Sequence, residues 1–508
     1  MKGKIVLFSP KPAKSYFYQG LPLSILAISS FLHKDGYEIK IVKASPDANY
    51  KKEVLDEVKD AFLLGVTVIT GNPIKEAIEV SQEAKRINPS IKVVWGGWHP
   101  SILPDEVITQ PFVDAICIGQ GERSFYEMAK MLETNKSLEG IQGTMYKIDG
   151  KIYRNPERVF ENVNNFPNLP YEILNLEDYI MKTELGSRTI NLITSQGCPH
   201  RCEFCVEPLV YKRRWYGLEA KKVVDDIELF YKKYNIDSVF FNDSNFFVSE
   251  DRVKTICEEL LKRNIKIKWG MANARAPQLL NYKEDTWKLL IDTGLKSVLI
   301  GAESGSQESL ELIKKDMKVD DLVKLAEKCL NSDIRIYYSF MTGLPPNDPN
   351  LDENGKKKVI EKDLKATLNV IDQIFSINRR HSIYLFLYTP YPKTPLFDLS
   401  LKNGLKKPES LEEWSNFELV VKSTPWVDEN FANKVNYLHN FIFPFICGVY
   451  YDKVKSRYKG IKGVVFKLLA RLIELDALLR WKTKFFSFTL DHKIVRLFLK
   501  MRSGSEEE

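Results

Sequence analysis

The sequence predicts an α/β protein built in three parts, and two observations support that fold class. Short apolar runs alternate with amphipathic stretches over residues 1–150, and the same alternation returns over residues 187–415. Strands separated by helices of this length form parallel sheets. Residues 416–508 carry helical periodicity instead. Residues 151–186 are rich in Pro and Asn, lack either periodicity, and are predicted to be an ordered linker.

The first part is predicted to be a doubly wound, Rossmann-like sheet. In such sheets ligands bind beyond the carboxyl ends of the strands. Those ends are followed here by glycine-rich, polar stretches: "GVTVITGNP" (65–73), "WGGWHPS" (95–101) and "IGQGERS" (118–124). We therefore expect a binding domain. Its candidate strands are 4–9, 38–42, 63–68, 91–96 and 114–119, and residues 72–87 form the clearest helix between them.

The second part is predicted to be an incomplete barrel, because it holds six strand–helix units and a closed barrel of this type needs eight. A charged insert, residues 345–363, is expected to loop into solvent. The six candidate strands are 188–194, 237–242, 265–272, 297–302, 334–341 and 382–388.

Composition narrows the class of protein. The chain is 44% hydrophobic and 28% charged with a formal net charge of +7, which is weak evidence for an anionic partner and predicts no nucleic acid binding. Seven cysteines without paired spacing argue against a disulfide framework and favour a reducing compartment. No stretch reaches the roughly 18–20 apolar residues of a membrane span, and the N-terminus does not resemble a signal peptide. We expect a cytoplasmic enzyme.

Three of the cysteines stand close together in "GCPHRCEFC" (197–205), directly after the first strand of the barrel. Cys198, Cys202 and Cys205 therefore lie at a carboxyl strand end, where barrels carry their chemistry. Three thiolates suit an iron–sulfur cluster and leave one of four irons open. Zinc held by these cysteines and His200 is the alternative, although His200 lies between two of them with little slack for a tetrahedral site.

"CPHRCEFC", with Phe204 before the last cysteine, resembles the signature of radical S-adenosylmethionine (radical SAM) enzymes. Two departures are Pro346 and Lys393, which stand where that family usually has Gly. The N-terminal part resembles the cobalamin-binding domain fused to one radical SAM subfamily, in "GLPLSILAISSFL" (20–32), "WGGWHPSILPDEV" (95–107) and "IGQGERSF" (118–125). Further barrel stretches with family resemblance are "FFNDSNF" (240–246), "ANARA" (272–276), "IGAESGSQE" (300–308), "TGLPP" (342–346) and "YTPYPKTPLF" (388–397).

The resemblance implies that the three cysteines are the catalytic metal ligands of a [4Fe–4S] cluster whose open iron is chelated by SAM. Arg275 would pair with the SAM carboxylate, with a surface ion pair as the alternative. Glu303 would take the SAM amino group or ribose, with helix first-turn acidity as the alternative. Phe204 and Asp243 would lie in the same cavity.

For cobalamin, the resemblance implies contacts from the strand-end loops of the first domain. His99 could be the lower cobalt ligand, but the chain lacks the D-x-H-x-x-G motif that supplies it elsewhere, so we expect Trp98 or His99 to pack beside the corrin. The full set is Gly65, Thr67, Thr70, Gly96, Gly97, Trp98, His99, Gly119, Gly121 and Glu122.

The implied function is cobalamin-dependent radical methylation of an unactivated carbon in a hydrophobic or lipid-like substrate, with an electron donor protein of flavodoxin or ferredoxin type. Radical ring formation or rearrangement without methyl transfer is the alternative, and a non-catalytic cobalamin sensor is a more remote one.

The C-terminal tail allows two interpretations. Residues 464–486, with Trp481, Phe485 and Phe486, together with the basic aromatic segments 480–488 and 492–502, could make peripheral contact with a membrane or cover an amphiphilic substrate. Alternatively, this region is a helical cap on the barrel.

Overall fold

A computed structural model describes residues 2–13, 18–46, 49–417, 424–457 and 460–486. The first domain is a seven-stranded sheet in the order β2-β1-β3-β4-β5-β6-β7, in which the first five strands are parallel. The five predicted strands are all present. The strands are β1 Lys4–Ser9, β2 Glu38–Lys43, β3 Leu63–Thr67, β4 Lys92–Gly96, β5 Ala115–Cys117, β6 Thr144–Ile148 and β7 Lys151–Arg154.

Helices cover both faces of this sheet, which explains why its interior strand β1 is a continuous apolar run. Val6 and Phe8 pack into one layer of the core, and Ile5 and Leu7 pack into the other. The helices are α1 Leu23–Lys34, α2 Tyr50–Glu57, α3 Pro73–Ile87, α4 Trp98–Ile102, α5 Pro104–Ile108 and α6 Gly121–Glu133.

The hairpin formed by β6 and β7 is antiparallel and lies at the edge of the sheet. It extends the first sheet to Arg154, four residues past the predicted domain boundary at 150. Every residue of β7 is exposed, so the strand has no buried face from which its pairing could be inferred.

The barrel has six parallel strand positions, as predicted, with the third strand broken in two. Its halves belong to different sheets, β12-β11-β8 and β13-β14-β15-β16, and Met271 between them has a φ of +52°. A small antiparallel ladder, β9 with β10, lies at the mouth. The strands are β8 Thr189–Leu192, β9 Ser195–Gly197, β10 Trp215–Gly217, β11 Ser238–Phe241, β12 Lys268–Gly270, β13 Ala272–Ala274, β14 Ser297–Glu303, β15 Arg335–Thr342 and β16 Ser382–Leu387.

The helices of the barrel alternate with these strands. The expectation that residues 345–363 loop into solvent is wrong for most of that segment: Asp352 accepts a hydrogen bond from the Gly355 amide and starts a 25-residue helix. The helices are α7 Glu207–Tyr211, α8 Ala220–Tyr234, α9 Glu250–Lys262, α10 Ala276–Leu280, α11 Glu284–Asp292, α12 Gln307–Leu312, α13 Asp320–Lys328, α14 Glu353–Ile377 and α15 Pro395–Lys402.

The last part is helical, as predicted, and covers the open edge of the barrel. His439 Nδ1 accepts a hydrogen bond from the Leu385 amide of edge strand β16 (3.2 Å). In the described parts of the chain, no helix combines the length and the apolar character needed to cross a bilayer. The helices are α16 Glu429–Tyr437, α17 Phe443–Ile446, α18 Val449–Arg457 and α19 Gly460–Thr483, with a π-helical stretch at Leu438–Ile442. Segment 492–502 lies outside the described residues.

Candidate functional site

The loop that carries the three cysteines is closed at its base by the β9–β10 ladder. Its backbone is held from two further sides: the Glu203 amide donates to the Ile313 carbonyl (3.0 Å), and the Leu396 amide donates to the Glu203 carbonyl (3.1 Å). Cys198, Cys202 and Cys205 are free and partly buried, and burial raises the pKa of Cys198 and Cys205. Such thiols gain by binding a metal, which stabilises their thiolate form.

Arg275 follows strand β13 and directs its guanidinium at the cysteine loop. Its Nη1 donates to Nδ1 of His200, while its buried Nε and Nη2 have no hydrogen-bond partner among the described residues. Burial and the adjacent Arg275 charge lower the pKa of His200 to about 4, so the imidazole is neutral at pH 7. Buried donors without acceptors are costly. The two unpartnered nitrogens of Arg275 therefore fit an anion such as a carboxylate.

Glu303 ends strand β14 in a left-handed conformation, with a φ of +59° at a register shift in the sheet. A non-glycine residue in this region is strained, and such strain concentrates at functional sites. Its carboxylate accepts a hydrogen bond from the buried Lys315 ammonium at 2.6 Å. Burial alone would lower the pKa of Lys315, but Glu303 and Cys202 raise it above its usual value. The pair places a fixed ammonium and carboxylate, with no net charge between them, beside the cysteine loop.

Asp243 does not face this cavity. Its carboxylate is fully buried and accepts hydrogen bonds from the Thr194 amide and hydroxyl and from the Ser195 hydroxyl, close to buried Arg252. It holds the chain between β8 and β9, and so positions the cysteine loop from beneath. The predicted contact with a cofactor has no support in this arrangement. The side-chain oxygen of Asn242, one residue earlier, accepts a hydrogen bond from the Tyr18 hydroxyl of the first domain.

The zinc alternative is not favoured by these positions. In the described part of the chain, no three Cys, His, Asp or Glu side chains converge on one metal-ion position. Nδ1 of His200 is already occupied by Arg275. A four-iron cluster bound through separate irons does not require the three sulfurs to converge on one point.

The carboxyl edge of the first sheet is shaped by two glycines with positive φ. Gly97 has a φ of +97°, and a Cβ there would lie 2.7 Å from the Val68 carbonyl oxygen. Gly119 has a φ of +78°, with no atom within 4 Å of a Cβ position. Trp98 is 37% exposed next to this edge. Gly97 therefore permits close packing of its turn on Val68, whereas Gly119 and the Trp98 ring leave bare backbone and an aromatic face at this edge, which fits a flat ring system.

Other residues predicted to contact cobalamin instead make contacts within the protein. A Cβ on Gly65 would collide with Leu7 and Phe125, so this glycine serves packing. His99 is fully buried, with Nδ1 hydrogen-bonded to Thr70 (3.0 Å), its ring against Trp414, and Nε2 without a partner among the described residues. Burial lowers the pKa of His99 to about 4.

The remaining predicted positions lie along the same edge. Gly96 ends β4 with room for a Cβ, since its nearest neighbour would be Cys117 Cβ at 3.6 Å, and half-buried Thr67 ends β3. Gly121 begins α6, where a Cβ would come within 3.3 Å of Ile28.

The carboxyl edges of the two parallel sheets face each other. Gln120 donates to Gln196 (2.9 Å), and Gln196 donates to the buried carboxylate of Glu122, whose pKa is raised by burial. The Leu21 amide donates to Asn191 of β8 (2.6 Å). Residues after both edges are therefore in direct contact, and the cysteine loop begins two residues after Gln196.

A cavity of about 1160 Å³ opens at the amino ends of the barrel strands. Its inner wall includes Phe240, Met271 and the stacked rings of Tyr337 and Tyr384. The C-terminal helical region supplies another wall through His439, Phe443, Cys447 and Tyr450. The sequence did not predict that the C-terminal helical region lines a cavity. It also did not identify Lys315 and Gln196, because neither residue stands in a recognisable motif.

Two family models match the chain. The B12 binding domain matches residues 13–129, and the radical SAM superfamily matches residues 192–353. An uncharacterised methyltransferase of Pyrococcus horikoshii is 25% identical over 81% of this chain and 85% of its own length. An anaerobic magnesium-protoporphyrin IX monomethyl ester cyclase of Rubrivivax gelatinosus is 25% identical over 74% of this chain and 65% of its own.

Solved structures show the same fold. The radical S-adenosylmethionine methyltransferase TsrM from Kitasatospora setae, with cobalamin and a [4Fe–4S] cluster bound, has a TM-score of 0.66 at 17% identity, covering 94% of this chain and 99% of that one. The cobalamin-dependent radical enzyme OxsB, with aqua-cobalamin and S-adenosylmethionine bound, has a TM-score of 0.68 at 19% identity, covering 99% and 75%.

Proposed function

Because the chain belongs to the radical SAM enzymes that carry a B12 binding domain, we propose that it methylates an unactivated carbon of a hydrophobic substrate. One observation carries the proposal: the edge with bare backbone at Gly119 and the loop with three free cysteines lie on facing sheet edges joined through Gln196. Two cofactors on these edges would share one chamber.

In this proposal Cys198, Cys202 and Cys205 hold the cluster, and SAM lies between it and strands β13 and β14. The unpartnered N–H groups of Arg275 would bind the SAM carboxylate, and the Glu303 carboxylate, held by Lys315, would bind the amino group. When bound, the cluster with SAM supplies a 5′-deoxyadenosyl radical for hydrogen abstraction, and cobalamin supplies the methyl group. The chain itself orients these groups and keeps water from them.

The cavity supports a substrate with a large apolar part. Its volume exceeds the usual range of roughly 300–1000 Å³ for small-molecule sites, and its lining includes the aromatic and apolar side chains of Phe240, Met271 and Phe443. Charged residues, including Glu184, Arg335 and Arg380, stand at its outer end. An amphiphilic molecule would fit, with its polar end at the opening on the amino side of the strands and its apolar part directed through the barrel toward the cysteine loop on the opposite, carboxyl side.

An electron donor protein is part of the proposal, because cleavage of SAM needs one electron. Helix α7 follows the cysteine loop, and three consecutive exposed basic residues come directly after that helix: Lys212, Arg213 and Arg214. Exposed clusters of one charge steer partners of the opposite charge. An acidic flavodoxin or ferredoxin would therefore dock beside the cysteine loop.

Radical ring formation on a lipid or isoprenoid, without methyl transfer, is the second candidate. It is favoured by the similarity to the magnesium-protoporphyrin cyclase over 74% of this chain. A non-catalytic cobalamin sensor would not need three free cysteines at the barrel mouth.

Anaerobic turnover with reductant, SAM and candidate lipids separates these functions. Methyl transfer predicts S-adenosylhomocysteine together with 5′-deoxyadenosine, and isotope from the SAM methyl group in the product. Formation of 5′-deoxyadenosine alone with product would refute methyl transfer and support ring formation. The same assay compares two cysteine variants. Cys202→Ala removes a proposed cluster ligand and should abolish SAM cleavage. Its matched control, Cys257→Ala, removes a buried thiol on α9 outside the site and should leave SAM cleavage intact.

A further inference from the structure

Helix α19 exposes a broad apolar surface. Five of its residues are 57–62% exposed although each is a large aliphatic, and two neighbours are 49% and 42% exposed. We call these seven residues the α19 face: Val464, Val465, Leu468, Leu469, Leu472, Leu475 and Leu479. Single exposed leucines are ordinary, but a contiguous set of this size marks an interaction surface.

The opposite side of α19 is attached to the barrel by small residues and one tryptophan. Ala470 and Ala477 are buried, and Trp481 is 3% exposed, with its Nε1 donating to Asp372 of α14 (2.7 Å) and its ring against Phe443. The expectation that Trp481 contacts a membrane is therefore wrong, because this ring anchors the helix. The leucines, which in a surface helix would be expected to face the core, face outward instead.

The width of the α19 face indicates what covers it. At about 100° per residue, its seven side chains spread over an arc of about 140°. Five residues of the face have the 3–4 spacing of a two-stranded coiled coil, but two more widen it beyond that narrow seam. The five are Val465, Leu468, Leu472, Leu475 and Leu479, and the two are Val464 and Leu469. A broad arc suits a flat apolar medium better than a second helix.

The charged residues at the borders of the α19 face also favour a lipid surface as its partner. On the same helical projection, Arg471 and Lys482 border one side of the arc and Arg480 borders the other. Asp476, which projects inside the arc, is paired with Arg480 at 2.8 Å, and Glu474 is paired with Arg471 at 2.6 Å, so each acidic residue of the helix is neutralised by a border cation. Counted over residues 460–483, the helix has five basic and two acidic residues: Lys462, Lys467, Arg471, Arg480 and Lys482 against Glu474 and Asp476.

We infer that the α19 face docks the protein on the surface of an anionic lipid bilayer. Basic residues bordering an apolar face are the pattern by which a helix lies in the interface plane, with its leucines in the acyl boundary and its cations at the headgroups. Anchoring by Trp481 keeps the helix attached to the barrel while its outer face enters the lipid.

The docked helix would stand next to the substrate cavity. Phe443 packs on Trp481 of α19 and also lines the cavity, so the helical region has lipid on one side and the cavity on the other. This part of the inference rests on the proposed function, in which the substrate is hydrophobic. The docking itself does not.

The test is co-sedimentation of the full-length protein with vesicles of phosphatidylcholine alone or mixed with phosphatidylglycerol. We expect binding that needs phosphatidylglycerol and weakens at high salt. The double variant Leu472→Glu/Leu475→Glu should weaken binding by roughly tenfold or more. Both side chains are 62% exposed, so the variant should fold.

Matched control variants are Leu229→Glu on α8 and Leu261→Glu on α9, which are 40% and 48% exposed and should bind vesicles like the wild type. Equal binding by the α19 variant and these controls would overturn the inference, as would no binding by the wild type. Light scattering without lipid tests a second copy as the occupant: a dimeric mass that the α19 variant reduces to a monomer also overturns it. SAM cleavage, measured separately, reports on the proposed function alone.

Discussion

Replacement of Gly97 by Ala should destabilise the turn between β4 and α4. Gly97 has a φ of +97° and a ψ of −171°, a region that only glycine occupies readily and that costs about 1–3 kcal/mol for other residues. The new Cβ would also lie 2.7 Å from the Val68 carbonyl oxygen and 2.9 Å from its amide nitrogen. Both are backbone atoms that cannot rotate away, and a forced shift of this kind adds about 1–3 kcal/mol. We expect a total destabilisation of about 4 kcal/mol.

Gly119→Ala separates the two causes, because Gly119 also has a positive φ (+78°) but no atom within 4 Å of its Cβ position. We expect it to cost only the conformational strain, about 1–2 kcal/mol. The assay is urea unfolding of the full chain, followed by visible absorbance of cobalamin retained after reconstitution. Gly97→Ala should lower the first unfolding midpoint much further and lose cobalamin. If both variants unfold at the same midpoint, the steric reasoning for Gly97 is wrong.

Three further predictions concern the barrel. Cys202→Ala should abolish iron–sulfur absorbance and SAM cleavage after anaerobic reconstitution, and retention of both would contradict the ligand assignment. Lys315→Met should destabilise the protein by about 3–5 kcal/mol by leaving the Glu303 carboxylate buried without a partner; adding Glu303→Gln should recover most of that loss in urea unfolding, and no recovery would refute the pairing. Burial raises the pKa of Asp226 from 3.8 to about 6, so the folded state binds this proton more tightly and stability falls as pH rises from about 4 to 6. Asp226→Asn, which can still accept from Tyr171, should therefore raise the free energy of unfolding at pH 8 by about 3 kcal/mol and leave it nearly unchanged at pH 4, whereas equal effects at both pH values would exclude this cause.

The strands of both sheets could be predicted closely from the sequence. β1 is found at Lys4–Ser9, where the apolar run predicts it, since a strand buried on both faces leaves a continuous hydrophobic signature. The break in the third barrel strand could not be predicted, because Met271 adopts its positive φ through tertiary contacts. The exposed residues of β7 likewise carry no apolar alternation.

Helix α19 shows a different limit of sequence reasoning. Periodicity identifies an apolar side and a mixed side, but it does not say which side meets the protein. Small side chains such as Ala470 and Ala477 allow close approach to the barrel, and the larger leucines are left outside. Only the tertiary packing reveals this inversion, and with it the surface proposed to meet lipid.

At the candidate site, motif resemblance identified residues better than it identified their tasks. Arg275 and Glu303 both lie beside the cysteine loop, as expected. Asp243, in a stretch that resembles a family motif, instead holds the loop from beneath through Thr194. Lys315 is essential to the charge of the site yet stands in a lysine-rich stretch that looks like ordinary surface sequence. Its burial follows from the fold of the loop after α12.

The contact between the two sheet edges gives the two domains a shared geometry. Gln196 lies two residues before Cys198, and its side chain is held by Gln120 and Glu122 of the first domain. Buried amide and carboxylate groups must keep their partners, because an unpaired one costs about 1–3 kcal/mol. The two loops therefore cannot move apart without leaving these groups unsatisfied. The cysteine loop and the glycine-lined edge are thus fixed relative to each other by side chains that bond one another, which is what chemistry between two separately bound cofactors requires.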